Sequence, residues 1–273
     1  MEGRHLLVNG ARLYVEEAGD GEAVIFVHGG LGDGRLWDAQ FSWFSERFRT
    51  IRYDQRFFGR SEEPAEPYSL VDDLVTPFEL LELETAALVG LSLGGQVAID
   101  TALERPELVH ALVPVCAAVS GYDDADADEL DRRFAEAVDS GGLERGIELA
   151  LEVLAPLGAT PEIRRLAREN LRTEPLPQGA VPKREPLNAV ARLDEISAPT
   201  LIVTGDRDVA AVGAIADLLE RGIPGAERLR FDSDHYLPLR EGTAFNERVA
   251  EFSARAAGLR ARASKPARCR DAP

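Results

Sequence analysis

The sequence predicts an α/β protein with a mostly parallel central sheet, helices on both faces of the sheet and an inserted helical segment. Three observations lead to this prediction. Short apolar runs, which are typical of buried strands, alternate with longer stretches of helical spacing. The motif Gly90-Leu91-Ser92-Leu93-Gly94 stands between one such run and one such stretch. The alternation then stops over residues 118–192, where several helical patterns follow one another.

The first part of the chain opens with a predicted hairpin, because Asn9-Gly10 separates two short apolar runs and is a strong turn signal. Such a hairpin predicts an antiparallel edge on the sheet. The helix expected next to Pro77 should bend or restart there. The remaining elements predicted in this part are a strand at 23–27, a helix at 36–48, a strand at 51–53, a helix at 68–83, a strand at 85–89, a helix at 95–103 and a strand at 108–116.

Residues 118–192 have helical runs near 126–140, 143–155 and 161–172, followed by a proline-rich stretch. We interpret this segment as a helical cap inserted after the sixth strand. Strands are predicted again at 200–204 and 228–231, and a final helix at 241–257. The predicted domains are therefore a core of residues 1–117 and 193–257, a cap of residues 118–192, and a basic, disordered tail of residues 258–273.

Charge and composition exclude several classes of partner. The 273 residues carry a formal net charge of −17, which disfavours binding to nucleic acid and to anionic membranes. A small-molecule substrate is the expected partner, and the sequence does not predict an oligomeric state.

No apolar run has the length of a membrane helix or the pattern of a secretory leader. The chain has two cysteines, Cys116 and Cys269. We therefore expect a cytoplasmic protein without a structural disulfide.

The turn at Gly90–Gly94 predicts a nucleophile. A strand, a sharp turn and a helix place Ser92 at the apex of the turn, and the flanking glycines allow the backbone to crowd there. The N-terminus of the following helix favours developing negative charge. A serine alone is a poor nucleophile, so a base and an orienting acid are expected later in the chain, with the acid first.

Two later strands supply candidates for the acid and the base. Asp206 and Asp208 follow the strand at 200–204, and Asp232, Asp234 and His235 follow the strand at 228–231. The carboxyl ends of parallel strands form ligand sites in open α/β sheets. Of the four histidines in the chain, His235 alone follows both the candidate acids and the last strand. His235 is therefore the predicted general base, while the acid remains open at this point.

Over residues 5–257 the chain resembles the α/β-hydrolase superfamily. The resemblance rests on five motifs in the family's order: Val27-His28-Gly29-Gly30, the segment from Tyr53 to Ser61, the serine turn, Gly205-Asp206-Arg207-Asp208 and Asp234-His235. It implies a catalytic triad of Ser92, Asp208 and His235, because the acid of relatives usually lies three residues after the strand-ending glycine. It also implies the α/β-hydrolase fold and a cap that covers the pocket and shapes specificity.

The same resemblance implies an oxyanion hole made by the backbone N–H groups of Gly30 and Leu93. Phe57 and Asp234 depart from the family pattern, since relatives usually have glycine and a small residue there. Phe57, Phe58 and Tyr236 neighbour the motif loops and are predicted to contact the pocket.

Structural roles are expected for Asp54 and Arg56, with Arg56 bonded to a carboxylate as a loop clamp. The sequence predicts no metal site and no cofactor. Asp124, Asp126 and Asp128 suggest a calcium loop, but Glu129 and Ala135 stand where that loop needs glycine and glutamate.

The predicted function is a cofactor-independent serine hydrolase that cleaves a neutral, fairly apolar carboxylic ester, thioester or lactone through an acyl-enzyme. One alternative keeps the triad but cleaves a carbon–carbon bond or an N-terminal peptide bond. The peptidase form is weakened by Leu31, where such relatives carry proline. Another alternative is a ligand-binding protein of this fold with little turnover. Epoxide hydrolysis and dehalogenation are disfavoured, because those relatives have aspartate at the position of Ser92.

Overall fold

The centre of the molecule is one sheet. The computed structural model describes residues 3–123, 125–170, 177–183 and 187–258. Within these ranges, eight strands form the sheet: β1 (Arg4–Val8), β2 (Ala11–Ala18), β3 (Ala23–Val27), β4 (Arg49–Tyr53), β5 (Ala86–Leu91), β6 (Val109–Val115), β7 (Leu201–Gly205) and β8 (Glu227–Phe231). Their order is β1-β2-β4-β3-β5-β6-β7-β8, and the neighbours from β4 to β8 are parallel. The mostly parallel sheet predicted from the sequence is confirmed.

Helices connect the strands and cover the sheet. In chain order they are α1 (Asp38–Phe44), α2 (Leu70–Leu80), α3 (Leu93–Glu104), α4 (Ala125–Leu154), α5 (Pro161–Asn170), α6 (Ala210–Gly222), α7 (Leu237–Arg240) and α8 (Gly242–Ala256), with short 3-10 helices at Gly34–Trp37, Pro106–Leu108 and Ala189–Glu195. Helix α2 runs through Pro77 and ends three residues later. No helix in the described ranges is both long and apolar enough to span a bilayer.

The opening hairpin forms the antiparallel edge of the sheet. Strand β1 pairs with β2, and β2 pairs antiparallel with β4. The turn between β1 and β2 needs two residues with positive φ, and Asn9 (46°) and Gly10 (79°) provide them. This turn chemistry is why the sequence signal was sufficient to predict the edge.

Alternate side chains of the central strands face opposite layers of the core. Val24 and Phe26 of β3 pack in the cluster that also contains residues of α1 and α8. Ile25 and Val27 pack on the other face, together with residues of α2, α3 and α6. All four side chains are buried, as expected for a parallel strand covered on both faces. Because β3, β5, β6, β7 and β8 are parallel, their carboxyl ends share one edge of the sheet.

Helices α4 and α5 lie between β6 and β7 in the chain, where the sequence predicted the inserted segment. A non-helical Gly142, with φ 74° and ψ −178°, breaks α4 where two predicted helical runs meet. Ile147, Leu151 and Ile163 from these helices pack with Tyr236 in a small separate cluster. The predicted limits of the cap stay a prediction. The proline-rich stretch lies partly outside the described residues, and the predicted tail lies outside them from residue 259 onward.

Candidate active site

Ser92 occupies a strained turn between β5 and α3. Its φ of 53° and ψ of −116° lie in a backbone region that residues with a Cβ atom rarely adopt. A Cβ added at Gly90 would lie 2.2 Å from the carbonyl oxygen of Gly94, and one at Gly94 would lie 2.3 Å from that of Val27. Both flanking positions therefore need glycine. The backbone of Ser92 is held by its N–H, which donates to the carbonyl of Val115 at 3.0 Å.

His235 and Asp208 are in direct contact. The Nδ1 atom of His235 lies 2.8 Å from Oδ2 of Asp208. A carboxylate only accepts hydrogen bonds, so Nδ1 carries the proton and Nε2 is free to act as a base. The second carboxylate oxygen of Asp208 accepts a hydrogen bond from the N–H of Val209 at 2.8 Å, which fixes the carboxylate plane. The side chains of His235 and Asp208 are 10% and 1% exposed, so water competes little with this contact.

The other candidate acids have different partners. Asp206 is exposed and pairs with Arg230 at 2.8 Å, and Asp232 is exposed and pairs with Arg207. Asp234 is fully buried and accepts two hydrogen bonds from Arg240, at 2.6 and 2.7 Å. Of the four acids, the structure thus brings Asp208 alone to the imidazole by a hydrogen bond.

The electrostatic surroundings of His235 favour its protonated form. Burial by itself lowers the pKa of His235, but the charge of Asp208, the hydrogen bond to it and the charge of Asp234 outweigh burial and raise that pKa above its ordinary value of 6.5. Asp234 therefore acts on the imidazole from a distance, although it departs from the family pattern. Its own charge is balanced by Arg240, and its Oδ2 also accepts a hydrogen bond from the N–H of Leu157, just beyond α4.

Two cavities meet at Ser92 and His235. The smaller has a volume of about 180 Å³ and is bordered by the Gly29–Leu31 loop, Leu36, Leu91 and Tyr236. The larger has a volume of about 500 Å³ and is bordered by Cys116, by residues 117–118, by the start of α6 and by α4. Leu154 of α4 borders both cavities. The walls are mainly apolar, with Glu129 and Arg133 of α4 as charged residues beside the larger cavity.

The loop after β3 lies against the serine. A Cβ added at Gly29 would come within 3.2 Å of the Cβ of Ser92. Buried His28 holds this loop: its Nδ1–H donates to the carbonyl of Gly29 at 2.8 Å, and its Nε2 accepts from the N–H of Gln55 at 2.8 Å. Burial lowers the pKa of His28, which keeps the ring neutral, as this pair of hydrogen bonds requires.

Gly30 borders the smaller cavity, and Leu93 begins α3 directly after Ser92. Within the described residues, neither backbone N–H donates a hydrogen bond to another group of the protein. These two donors are therefore free for a ligand oxygen. Their assignment to an oxyanion hole stays a prediction, since it depends on the direction in which each N–H points.

The three predicted pocket aromatics have different surroundings. Tyr236 borders the smaller cavity, but Phe57 and Phe58 are not among the residues that line either cavity. Phe57 is buried, has a φ of 75°, and packs edge-on against Tyr68 at 5.0 Å between ring centres. Phe58 packs against the ring of His28 at 5.2 Å. The lining of these two cavities thus includes Tyr236 but not Phe57 or Phe58, whose contact with the pocket stays a prediction.

The turn that carries these aromatics is held by hydrogen bonds from several elements. Asp54 accepts hydrogen bonds at 2.8 Å from the N–H groups of Gly34 and Arg60. Arg56 makes two hydrogen bonds of 2.7 Å to the buried carboxylate of Asp73 on α2, which is the loop clamp that the sequence predicted. These bonds hold the backbone of the turn on both sides of Phe57 and Phe58.

Cys116 is a neighbour of the site that the sequence reasoning did not assign to it. It follows β6, is 1% exposed and borders the larger cavity. Burial raises the pKa of the Cys116 thiol, and the charge of nearby Asp208 raises it further. Both effects favour the protonated thiol over the thiolate, which is the nucleophilic form of cysteine. The signal that would have located Cys116 is its position at the carboxyl end of a strand that lies between β5 and β7.

Comparison with known proteins is consistent with this arrangement. A sequence profile of the alpha/beta hydrolase family matches residues 24–251. The chain is 30% identical over 262 residues to the AB hydrolase superfamily protein YisY of Bacillus subtilis, covering 88% of this chain and 95% of that protein. It is also 30% identical over 250 residues to the putative carbamate hydrolase RutD of Agrobacterium fabrum, covering 85% and 94%. A thermophilic esterase from Thermogutta terrifontis has the same fold, with a TM-score of 0.78, 24% identity and coverage of 94% and 99%.

Proposed function

Because the chain belongs to the alpha/beta hydrolase family, we propose that it is a serine hydrolase that cleaves a neutral, fairly apolar carboxylic ester, thioester or lactone through an acyl-enzyme. Family membership supports hydrolase activity. The observation that carries the finer proposal is the hydrogen bond between His235 and Asp208, beside cavities that Ser92 also borders. One relative is named a putative carbamate hydrolase, and a carbamate offers a carbonyl carbon to a serine nucleophile, as an ester does.

In the acylation step, Oγ of Ser92 attacks the carbonyl carbon of the substrate while Nε2 of His235 takes the hydroxyl proton. Asp208 keeps the proton on Nδ1 and stabilises the imidazolium that forms. The N–H groups of Leu93 and Gly30 donate hydrogen bonds to the carbonyl oxygen and stabilise the negative charge that develops there. Each such donor contributes about 10²–10³ in rate. The imidazolium then protonates the leaving group.

In the deacylation step, His235 takes a proton from a water molecule, which attacks the acyl-serine. The same two N–H groups stabilise the negative charge on the carbonyl oxygen. The acid is released when His235 passes the proton on to Oγ of Ser92. The chemistry needs a base with Nε2 free in both steps. The tautomer set by the contact with Asp208 supplies such a base.

Cavity shape and charge support a substrate with apolar parts. The two cavities share Ser92, Leu154 and His235 but otherwise have different walls, so one suits the acyl group and the other the leaving group. Their apolar walls favour hydrocarbon because burying it removes apolar surface from water. The net charge of −17 disfavours polyanionic substrates.

We further propose that residues 118–192 form a cap over these cavities. Leu154 of α4 borders both of them. The segment is also tied to the core, because Asn170 of α5 donates to Asp33 at 2.9 Å and accepts from the N–H of Gly59 at 3.0 Å. Substitutions on the inner face of α4 are therefore expected to change substrate preference more than the catalytic step.

The test is the exchange Ser92→Ala, assayed with short p-nitrophenyl esters and with a fluorophosphonate label. We expect ester hydrolysis and labelling to be lost. Ser45→Ala is the matched control, since Ser45 is half-buried at the end of α1, away from both cavities, and its hydroxyl donates to the carbonyl of Ser42 in the described structure. Equal hydrolysis by the wild type and Ser92→Ala, together with unchanged labelling, would contradict the proposal.

A wider substrate panel separates the proposal from its alternatives. Turnover of a diketone or of a peptide with N-terminal proline, without turnover of any ester, thioester or lactone, would keep the triad but change the bond. Tight stoichiometric binding without turnover of any compound would indicate a ligand-binding protein.

A further inference from the structure

Two residues of the candidate triad, Asp208 and His235, lie beside the thiol of Cys116. Sγ of Cys116, a carboxylate oxygen of Asp208 and a ring nitrogen of His235 all lie within 4.8 Å of one another. Three strands bring them together: Cys116 follows β6, Asp208 follows β7, and His235 follows β8. The backbone holds Cys116 firmly, because its N–H donates to the carbonyl of Val203 at 2.8 Å.

We propose that Cys116, Asp208 and His235 form a binding site for a thiophilic divalent cation of the Zn²⁺ type, and that occupation of this site switches off the hydrolase. Thiolate, imidazole and carboxylate are the three kinds of ligand that Zn²⁺ takes in proteins. Harder cations such as Mg²⁺ and Ca²⁺ prefer oxygen ligands and are not expected to bind here.

The geometry is close to that of a zinc site with three protein ligands. Ordinary bond lengths place tetrahedral ligand atoms about 3.4–3.6 Å apart. The present atoms lie within 4.8 Å, and Nδ1 of His235 is 2.8 Å from Oδ2 of Asp208. A pair at the full separation therefore has to close by about 1.2–1.4 Å, which two side chains can share, to reach the tetrahedral spacing. The larger cavity borders both Cys116 and His235, so it provides an entry path and room for water as the fourth ligand.

Binding of the cation conserves all protons. The thiol of Cys116 releases one proton to solvent, because a coordinating thiol is deprotonated. The proton on Nδ1 of His235 moves to Nε2, so the ring remains neutral while Nδ1 binds the cation. A ring protonated on Nε2 cannot accept the hydroxyl proton of Ser92, and Asp208 no longer holds the productive tautomer. No bond to substrate and no redox change is involved.

Binding of the cation is tested first, in the Ser92→Ala variant and without any activity measurement. Cd²⁺ is titrated while the ultraviolet charge-transfer absorption of the Cd–thiolate bond is followed. We expect one equivalent to bind, and Cys116→Ser to abolish the absorption and weaken binding at least about tenfold. Cys269→Ser is the matched control, because it removes the other thiol of the chain and should leave the titration unchanged.

The second variant is Asp208→Asn, which keeps the thiol but removes the carboxylate ligand. We expect it to weaken Cd²⁺ binding at least about tenfold as well. Thermal unfolding of each variant verifies that it is folded at the assay temperature. Unchanged Cd²⁺ affinity in folded Cys116→Ser or Asp208→Asn, or loss of the absorption in Cys269→Ser, would overturn the proposal.

Inhibition is tested second and rests on the proposed function. Zn²⁺ is titrated against p-nitrophenyl ester hydrolysis by the wild type, and each variant is referred to its own rate without Zn²⁺. We expect inhibition that EDTA reverses, and Cys116→Ser to need at least about tenfold more Zn²⁺. Equal sensitivity of the wild type and Cys116→Ser would refute the inhibitory role. Failure of the serine hydrolase proposal leaves the Cd²⁺ titration intact, so the two failures are distinguishable.

Discussion

The exchange Asp208→Asn tests the centre of the proposed mechanism. Asparagine keeps the size of the side chain but removes its charge and can present an N–H₂ group to Nδ1 of His235. The hydrogen bond at stake measures 2.8 Å between side chains that are 10% and 1% exposed, so water is poorly placed to replace it. The ring is then driven to the tautomer with the proton on Nε2, which cannot act as a base. In serine proteases such an exchange lowers kcat by about 10⁴, or about 5 kcal/mol of transition-state stabilisation.

The assay is kcat for a p-nitrophenyl ester, with Asp206→Asn as the matched control. Asp206 lies two residues earlier in the same loop, is exposed and pairs with Arg230. The exchange Asp206→Asn removes the same charge without altering any contact of the imidazole, so kcat is expected to change by less than about threefold. A loss in Asp206→Asn that equals or exceeds the loss in Asp208→Asn would refute the assignment of the acid.

Two further predictions concern pH and stability. The kcat/KM of the wild type should fall as pH decreases through the pKa of His235, which lies above the ordinary 6.5, because the protonated ring cannot accept a proton. Asp208→Asn removes two contributions that raise this pKa, so the acid limb of its residual activity should move to lower pH. An acid limb at the same pH in both proteins would contradict the reasoning. Asp73→Ala should lower the free energy of unfolding by about 3–5 kcal/mol, and Tm by about 6–20 °C in thermal unfolding, because it leaves the fully buried Arg56 without its partner. Glu195→Gln, which breaks a surface pair, is the control and should shift Tm by less than about 2 °C; equal shifts in the two variants would refute the argument.

Local chemistry explains which parts of the fold were predictable. The hairpin followed from Asn9-Gly10, because both residues must adopt positive φ in that turn. The serine turn followed from Gly90 and Gly94, whose missing side chains leave room for neighbouring carbonyl oxygens. The break in α4 at Gly142 fell between two predicted helical runs for a similar reason. In each case the decisive interaction lies within or next to the motif that predicts it.

The candidate site was predictable only in part. Family resemblance selected Asp208 over Asp206, and the hydrogen bond to His235 supports that choice by an independent geometric argument. Pocket contact by Phe57 and Phe58 stays a prediction, because nearness to a motif does not set the direction of a side chain. In the fold, the ring of Phe57 packs against Tyr68 and that of Phe58 against His28, contacts that the motif by itself does not predict.

The sequence by itself determined the alternation of strands and helices, the serine turn and the small set of acids and histidines from which a triad can be drawn. These features depend on backbone conformations and apolar patterns that neighbouring residues impose on each other. Only the tertiary structure decided which acid contacts the imidazole, which aromatic rings border the cavities, and that Cys116 joins Asp208 and His235. The physical reason is that strand order sets these distances, and strand order results from packing between segments that are distant in the chain.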